Sequence, residues 1–420
     1  MLELEVIPER GLTNGRLELI LGMPLGDCIE VLKSSYSTVK DVQLTYNEEQ
    51  PLDKEIVLDL TNDGVKLIFD QKFQRLKIIE IYDTKRITLK YCNNVFSAPG
   101  TVPTLELIRQ CFGPTRAGDR NVRQQLFLLL FRGILFVFPL WSAGSSSPIF
   151  DADGLEFSEP SVEGSLVLSK LSIFSGSNPL EAVSPPIPIE YCQGHCFAKC
   201  IEGVRNEGSN AVTSLRVKIL ETSEDLLQSA PDSSIKQLER TISFRDSPQD
   251  VMSSLGAPDK IFYKDEDKMR IHSQSQNKLP TSKTSDYFFN YFTLGLDILF
   301  DGTSHQVKKF ILHTNYPGHY DFNVYHRCHF SISFPISSYS HNASNDSLSQ
   351  TISVTTFTKW SEVVDYVFQD KPEKPVVLSR SSSTNNTNPF GYTFCYNHHN
   401  IIFEVMKNSH IASVIIYSPQ

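Results

Sequence analysis

The sequence predicts an α+β protein made of pseudo-repeated units, each with one amphipathic helix packed on an antiparallel β-meander, plus an inserted β-rich region. Two observations support this fold class. Short runs rich in β-branched and aromatic residues recur along the chain and are bounded by Gly or Asn, which indicates strands. A helical pattern precedes each of these runs. The runs cover residues 64–70, 133–139, 295–301 and 400–406.

A second strand pattern follows three of the runs at nearly the same distance. These second strands cover residues 76–82, 307–313 and 411–417. Because strands joined by short connections pair in antiparallel fashion, each pair is expected to belong to a meander.

Two of the four helical patterns, the first and the last, place apolar residues at the i, i+3, i+4, i+7 spacing of one helical face, and the second does so more briefly. The third helix has the clearest limits. Ser247 is expected to cap it, with Pro248 at the first helical position and Asp250 completing the cap. Gly256 is expected to end it, with Pro258 beyond. The four apolar faces are Leu25, Cys28, Ile29 and Leu32; Leu105, Ile108 and Phe112; Val251, Met252 and Leu255; and Trp360, Val363, Val364 and Val367.

The third unit is expected to bury its helix face against its strand faces, because each apolar face needs a partner. One shared core is therefore predicted for seven of its residues. They are Val251, Leu255, Phe292, Ile298, Phe300, Phe310 and Leu312.

Changes in composition divide the chain into four parts. Residues 1–141 are predicted to hold two N-terminal helix-plus-meander units, and residues 142–236 a linker with the inserted β-rich region. Residues 237–336 are predicted to form the third helix-plus-meander unit. Residues 337–420 combine a Ser/Asn-rich linker with a C-terminal unit of one helix and strands.

Charge and hydropathy narrow the class of protein. The 420 residues include 39 Lys and Arg against 48 Asp and Glu, a net charge of −9 that argues against a general nucleic-acid or anionic-membrane binder. No apolar run approaches the roughly 20 residues of a membrane helix, and the N-terminus lacks a signal-peptide pattern. A cytoplasmic location with reduced cysteines is expected.

Sequence motifs of common enzyme classes are absent. The chain contains no phosphate-binding loop, no Gly-x-Gly-x-x-Gly fingerprint and no Gly-x-Ser-x-Gly nucleophile elbow. Nucleotide binding and serine-type hydrolysis therefore have no support in the sequence, and we predict no catalytic residues and no cofactor.

Two clusters of possible metal ligands have a simpler interpretation. Cys192, His195, Cys196 and Cys200 could supply thiolates and an imidazole to zinc, but their spacing fits neither a knuckle nor a ribbon, and packing as small hydrophobic residues is favoured. The second cluster lies along a predicted strand, whose alternation would send its ligands to opposite faces. It consists of His313, His319, His326, Cys328 and His329. No bound metal is predicted.

A basic group in the third unit could meet lipid phosphates, but neighbouring acidic residues dilute its charge, and a solvated loop is favoured. The group comprises Lys260, Lys264, Lys268, Arg270, Lys278, Lys283, Lys308 and Lys309.

The segment 316–329 is rich in the aromatic and Arg side chains that anchor protein interfaces. It is the candidate partner interface, and the alternative is that the same side chains pack where the C-terminal units meet. The candidate residues are Tyr316, His319, Tyr320, Tyr325 and Arg327. If this surface fails, the loop 380–388 or the inserted β region is the next candidate.

Several long strings resemble the phagosome assembly factor 1 family over the whole chain. They include DYFFNYFTLG at 286–295 and KKFILHTNYPGHY at 308–320. Shorter matches are LEVIPER at 4–10, LGMPL at 21–25 and EDKMRIHS at 266–273. Two further matches are KPVVLSRSSS at 374–383 and NNTNPFG at 385–391.

The resemblance implies a non-enzymatic cytoplasmic autophagy factor that acts at the phagophore assembly site. It implies a WD40 β-propeller partner of the breast carcinoma amplified sequence 3 type, and membrane association through that partner. Older descriptions of the family point to Golgi and vesicle transport. Three hypotheses follow: an interaction scaffold, a direct lipid- or phosphoinositide-binding module, and, least favoured, a metal-dependent enzyme.

Overall fold

The computed structural model divides the chain into two compact units, Met1–Tyr191 and Cys192–Gln420. The boundary falls inside the segment 142–236 that the sequence assigned to a linker and an insertion. Structure is described for residues 2–115, 118–121, 125–140, 166–192, 197–205, 210–220, 237–264, 285–335, 351–367, 374–379 and 390–419.

Unit 1 contains two sheets, two helices and a 3₁₀ turn at Pro179–Glu181. The helices are α1 Leu25–Ser34 and α2 Leu105–Phe112, and α3 Ile189–Cys192 spans the boundary to unit 2. The strands are β1 Leu2–Ile7, β2 Gly11–Thr13, β3 Glu18–Ile20, β4 Val42–Thr45, β5 Ile56–Leu60, β6 Val65–Phe69, β7 Leu76–Ile81, β8 Ile87–Tyr91, β9 Asn94–Ser97, β10 Asp119–Asn121, β11 Leu126–Phe131, β12 Ile134–Pro139 and β13 Lys170–Phe174.

The first sheet of unit 1 has five strands in the order β3-β2-β1-β8-β9, with β1 and β8 parallel. The second has eight antiparallel strands in the order β10-β11-β12-β13-β7-β6-β5-β4. Its centre is the β7–β13 pair, in which Ile81 lies opposite Leu171.

Unit 2 contains α4 Pro248–Leu255, α5 Trp360–Val367 and a 3₁₀ turn at Phe292–Leu294. Its strands are β14 Phe197–Arg205, β15 Val212–Leu220, β16 Gln237–Ser243, β17 Lys260–Tyr263, β18 Tyr287–Tyr291, β19 Leu296–Phe300, β20 Val307–His313, β21 Phe330–Pro335, β22 Thr351–Thr355, β23 Val376–Ser379, β24 Tyr392–His398, β25 Ile401–Val405 and β26 Ile411–Tyr417.

Unit 2 also has a five-stranded and an eight-stranded sheet. The five-stranded sheet has the order β16-β15-β14-β21-β22, with β14 and β21 parallel. The eight-stranded sheet has the order β17-β18-β19-β20-β26-β25-β24-β23. Strand for strand, these orders match those of unit 1. In the described part of the chain, no helix is long and apolar enough to cross a membrane.

The α+β class with mainly antiparallel strands is confirmed, but the sheets are assembled differently from the prediction. Four-stranded meanders follow α1, α2, α4 and α5, and the meanders join in pairs through β7–β13 and β20–β26. Pairing satisfies the backbone groups that each meander edge would otherwise expose. The segment 142–236 supplies strands to both units, because β13 completes the larger sheet of unit 1 and β14 and β15 belong to unit 2.

The core of unit 2 contains residues of both its sheets together with α4 and α5. Of the seven residues predicted to share a core, six belong to it: Val251, Leu255, Ile298, Phe300, Phe310 and Leu312. The seventh, Phe292, is half-buried in the 3₁₀ turn.

The limits of α4 agree with the sequence. Ser247 and Asp250 form a reciprocal capping box, and Pro248 occupies the first turn. Gly256 ends the helix at φ +86°, a conformation that favours glycine. The helix is thereby fixed in length, with Val251 and Leu255 on its buried face.

Leu255→Ala is expected to lower the free energy of unfolding by about 2–5 kcal/mol, because it leaves a cavity in this core. Met252→Ala is the matched control, since Met252 lies on the same helix and is 41% exposed. Urea denaturation of the full chain measures both. Equal stabilities of the two variants would contradict the placement of α4 in the core.

Candidate functional site

The predicted interface lies in a connection that distinguishes the two units. Residues 314–329 join β20 to β21, whereas the equivalent connection in unit 1, from β7 to β8, covers only 82–86. The 314–329 loop contains turns and no strand. Asn315 and Asn323 adopt left-handed conformations with φ +52° and +64°, and the Asn323 N–H donates to Asn315 Oδ1 at 2.6 Å.

One end of the loop is held by Asp297 on β19, a carboxylate that is only 6% exposed. Its Oδ1 accepts from Asn290 Nδ2 at 2.7 Å, and its Oδ2 accepts from Tyr325 Oη at 2.8 Å. His313 Nε2 lies 3.0 Å from the same Oδ2 and is placed to donate to it. The Tyr325 ring stacks on His313 with centroids 3.8 Å apart. Asp297 therefore joins three donors from β18, β20 and the loop.

Tyr325 is kept in its neutral, donating form. Burial and then the charge of Asp297 raise the pKa of the Tyr325 phenol. At neutral pH the phenol thus remains a hydrogen-bond donor to the carboxylate.

A second buried carboxylate, Glu404 on β25, holds another part of the loop. It is 2% exposed. Its Oε1 accepts from Thr393 at 2.8 Å and lies 3.3 Å from His319 Nε2, while Oε2 accepts from Ser413 at 2.7 Å. Glu404 thereby links His319 of the loop to β24 and β26 as well as to its own strand.

Arg327 and Tyr316 form the third attachment. Arg327 Nε donates to the Thr314 carbonyl at 2.7 Å, and its guanidinium lies 4.5 Å from the centre of the Tyr316 ring. Tyr316 is fully buried and donates to the Thr356 carbonyl at 2.9 Å. Burial raises the pKa of Tyr316 to about 12. Both side chains therefore stabilise the loop from within.

The five predicted interface residues are thus divided by burial. Tyr316, His319 and Arg327 are buried, Tyr325 is half-buried, and Tyr320 alone is exposed, at 58%. The first four form hydrogen bonds and ring contacts within unit 2, as expected if they pack where the C-terminal elements meet. An interface through Tyr320 stays a prediction. The alternation of residues 322–328 suggested a strand, but the left-handed turn at Asn323 breaks it.

The structure also identifies site residues that the sequence analysis missed: Asn290, Asp297, Glu404 and Ser413. The sequence does contain a signal for the two acidic residues. Asp297 and Glu404 each interrupt a strand whose other residues are apolar, and a charge buried in such a strand requires hydrogen-bond partners.

The proposed metal ligands do not converge in the described part of the chain, where no group of three or more His, Cys, Asp or Glu could hold a metal. His313 and His319 contact different carboxylates. His326 packs against Phe197 and His329 against Phe357, with ring centroids 5.5 and 5.6 Å apart, and Cys328 is buried. In the other cluster, Cys192 is buried and Cys200 half-buried. His195 and Cys196 lie outside the described residues.

The lysines of the third unit have individual environments. Lys308 pairs with Asp286 at 3.1 Å and Asp301 at 3.4 Å. Lys264 lies over the Phe288 ring, and burial followed by the charge of Lys264 lowers the pKa of Lys309. Lys260 lies on the exposed strand β17. Lys268, Arg270, Lys278 and Lys283 lie outside the described residues.

The buried carboxylates of Asp297 and Glu404 each accept three hydrogen bonds, and together these bonds fix the conformation of the 314–329 loop. The donors come from separate strands and from the loop, so each carboxylate cross-links elements distant in sequence. The chemical effect of the site is therefore to hold the 314–329 loop against unit 2's eight-stranded sheet.

Asp297→Asn is expected to lower the free energy of unfolding by about 1–3 kcal/mol, because an amide cannot accept from all three donors. Glu239→Gln, at an exposed position on β16, is the control. Urea denaturation measures both variants, and an Asp297→Asn protein as stable as the control would show that these contacts do not hold the loop.

The sequence model of a family described as "Phagosome assembly factor 1" matches residues 15–417. A PHAF1 protein of Drosophila melanogaster is 41% identical over 430 residues, which cover 100% of this chain and 94% of that protein. A PHAF1 protein of Caenorhabditis elegans is 33% identical, with 98% and 93% covered, and one of Arabidopsis thaliana is 32% identical, with 94% and 89% covered. No solved structure matches the chain.

Proposed function

The chain belongs to the phagosome assembly factor 1 family, and on this basis we propose that it is a non-enzymatic interaction protein of autophagosome formation. It acts with a WD40 β-propeller protein of the breast carcinoma amplified sequence 3 type. The pair assembles at the phagophore assembly site, and the chain reaches the membrane through its partner.

Family membership over nearly the whole chain is the observation that carries this proposal. The contacts of the 314–329 loop support it, since Tyr325 and His319 attach the loop to Asp297 and Glu404 of its own unit. These polar contacts stabilise unit 2, and the exposed Tyr320 leaves the loop a surface for a partner.

Two rival functions are separated from this one by simple measurements. Direct lipid binding in Golgi or vesicle transport would rely on lysines such as Lys260 and Lys264, and flotation of the lone chain with anionic vesicles that is lost when these two lysines are replaced would reveal it. A metal-dependent enzyme would carry near-stoichiometric zinc, iron or copper, which elemental analysis of purified protein detects. Either result would replace the proposal.

The central prediction is a direct complex. Purified chain and purified propeller protein are expected to co-elute in size-exclusion chromatography, because a stable pair buries roughly 1,200 Å² or more. Separate elution at micromolar concentrations would contradict the proposed partner.

Tyr320→Ala tests where the complex forms. If Tyr320 is an anchor, the substitution is expected to weaken binding about tenfold or more, as measured by calorimetric titration. Tyr36→Ala is the matched control, because Tyr36 is an exposed tyrosine of unit 1. Equal affinity of the two variants would remove the 314–329 loop from the interface without affecting the proposed pairing.

A further inference from the structure

A compact group of cationic and titratable side chains lies in unit 2, apart from the 314–329 loop. Two hairpins meet there, one between β14 and β15 and the other between β24 and β25. Asn400, at the turn of the second hairpin, donates to the Val212 carbonyl at 2.8 Å and accepts from the Val212 N–H at 3.0 Å. These two hydrogen bonds fix the second hairpin against the first.

Arg205, the last residue of β14, lies at this junction with the donors of two of its three guanidinium nitrogens unsatisfied. Its Nη1 donates to the Asn210 carbonyl, and its guanidinium lies 4.6 Å from the centre of the Phe334 ring. Nε and Nη2 are inaccessible to solvent and have no hydrogen-bond partner. Burial lowers the pKa of Arg205, which reflects the loss of water around its charge.

The positions of the two unsatisfied nitrogens on the guanidinium suit them to bind one anion together. Nε and Nη2 share one edge of the planar guanidinium, and their N–H bonds are nearly parallel. This edge donates to two oxygens of one phosphate or carboxylate in bidentate ion pairs. The structure therefore presents an aligned pair of donors without an acceptor.

Two neighbouring groups leave the charge of Arg205 uncompensated. The His398 ring lies 5.6 Å from Phe334, and the rings of His398 and His399 are 4.2 Å apart. Burial, then His399 and Arg205, lower the pKa of His398 to about 4, so this ring is neutral at pH 7. The acid nearest in sequence on β14, Glu202, is bound to Lys218 at 2.5 Å and Arg216 at 3.6 Å.

Only the rim of the site is accessible from solvent, because His399 is exposed while Arg205 and His398 are half-buried. The Nε and Nη2 edge of Arg205 is closed to solvent, so an anion that arrives beside His399 reaches it through a shift of the surrounding side chains.

We propose that Arg205, His398 and His399 form a binding site for a phosphate group, with the Nε and Nη2 edge of Arg205 holding two of its oxygens. A tetrahedral phosphate offers a further oxygen to the histidine rings, which a planar carboxylate does not. The phosphate belongs either to a soluble molecule or to a lipid headgroup.

Equilibrium dialysis of the full chain with radiolabelled inorganic phosphate tests the site. We expect one phosphate per chain, and an affinity reduced about tenfold or more in Arg205→Gln. Arg205→Lys keeps the charge but lacks the two-donor edge, and is also expected to weaken binding. Arg216→Gln, which removes an exposed arginine from the neighbouring strand β15, is expected to bind like the unmodified chain.

Three outcomes would overturn the proposal: no phosphate binding at millimolar concentrations, binding that Arg205→Lys and Arg205→Gln leave unchanged, or equal competition by acetate. Urea denaturation shows whether each variant is folded. If Arg205→Gln does not fold, the test rests on Arg205→Lys. Flotation with phosphatidic acid vesicles separates the two sources. Flotation that requires Arg205 assigns the phosphate to a lipid, and dialysis binding without flotation assigns it to a soluble molecule.

Discussion

Pairing between the inner edges of two meanders is the interaction on which each unit depends. An isolated four-stranded meander exposes unpaired backbone groups at both edges, and antiparallel pairing of β7 with β13, or of β20 with β26, removes two of these edges. The parallel pairs β1–β8 and β14–β21 join the smaller sheets in the same way. In unit 2, apolar residues from both sheets and from α4 and α5 complete one core.

The two units share their strand order but differ in what lies on their larger sheets. In unit 1, exposed and half-buried ion pairs lie along the sheet, such as Lys66 with Asp59 at 3.8 Å and Lys170 with Glu80 at 2.5 Å. Unit 2 instead places Asp297 and Glu404 at comparable strand positions, and the 314–329 loop covers them. A longer connection and two buried acids therefore occur together, because each requires the other: the acids need donors, and the loop needs attachments.

Local features of the fold could be predicted from the sequence, whereas pairings between distant strands could not. The limits of α4 follow from Ser247, Pro248 and Gly256, because capping depends on neighbouring residues. The β7–β13 pair joins Ile81 to Leu171, and nothing in either strand specifies its partner. The candidate site could likewise be predicted only in part. The aromatic content of residues 316–329 identified the segment, but the buried position of Tyr316 involves a hydrogen bond to Thr356, which is remote in sequence.

The order of strands along the chain has a consequence for synthesis on the ribosome. The larger sheet of unit 1 is complete once residues 170–174 have emerged, so this half can fold while the second half is still being translated. Unit 2 follows the same order, since its last strand, β26, lies between β20 and β25 just as β13 lies between β7 and β12 in unit 1. Until residues 411–417 are available, β20 and β25 each lack a neighbour. The edge of β20 therefore stays unpaired while residues 314–410 are made, and for that interval it is the strand edge of unit 2 that is open to incorrect pairing.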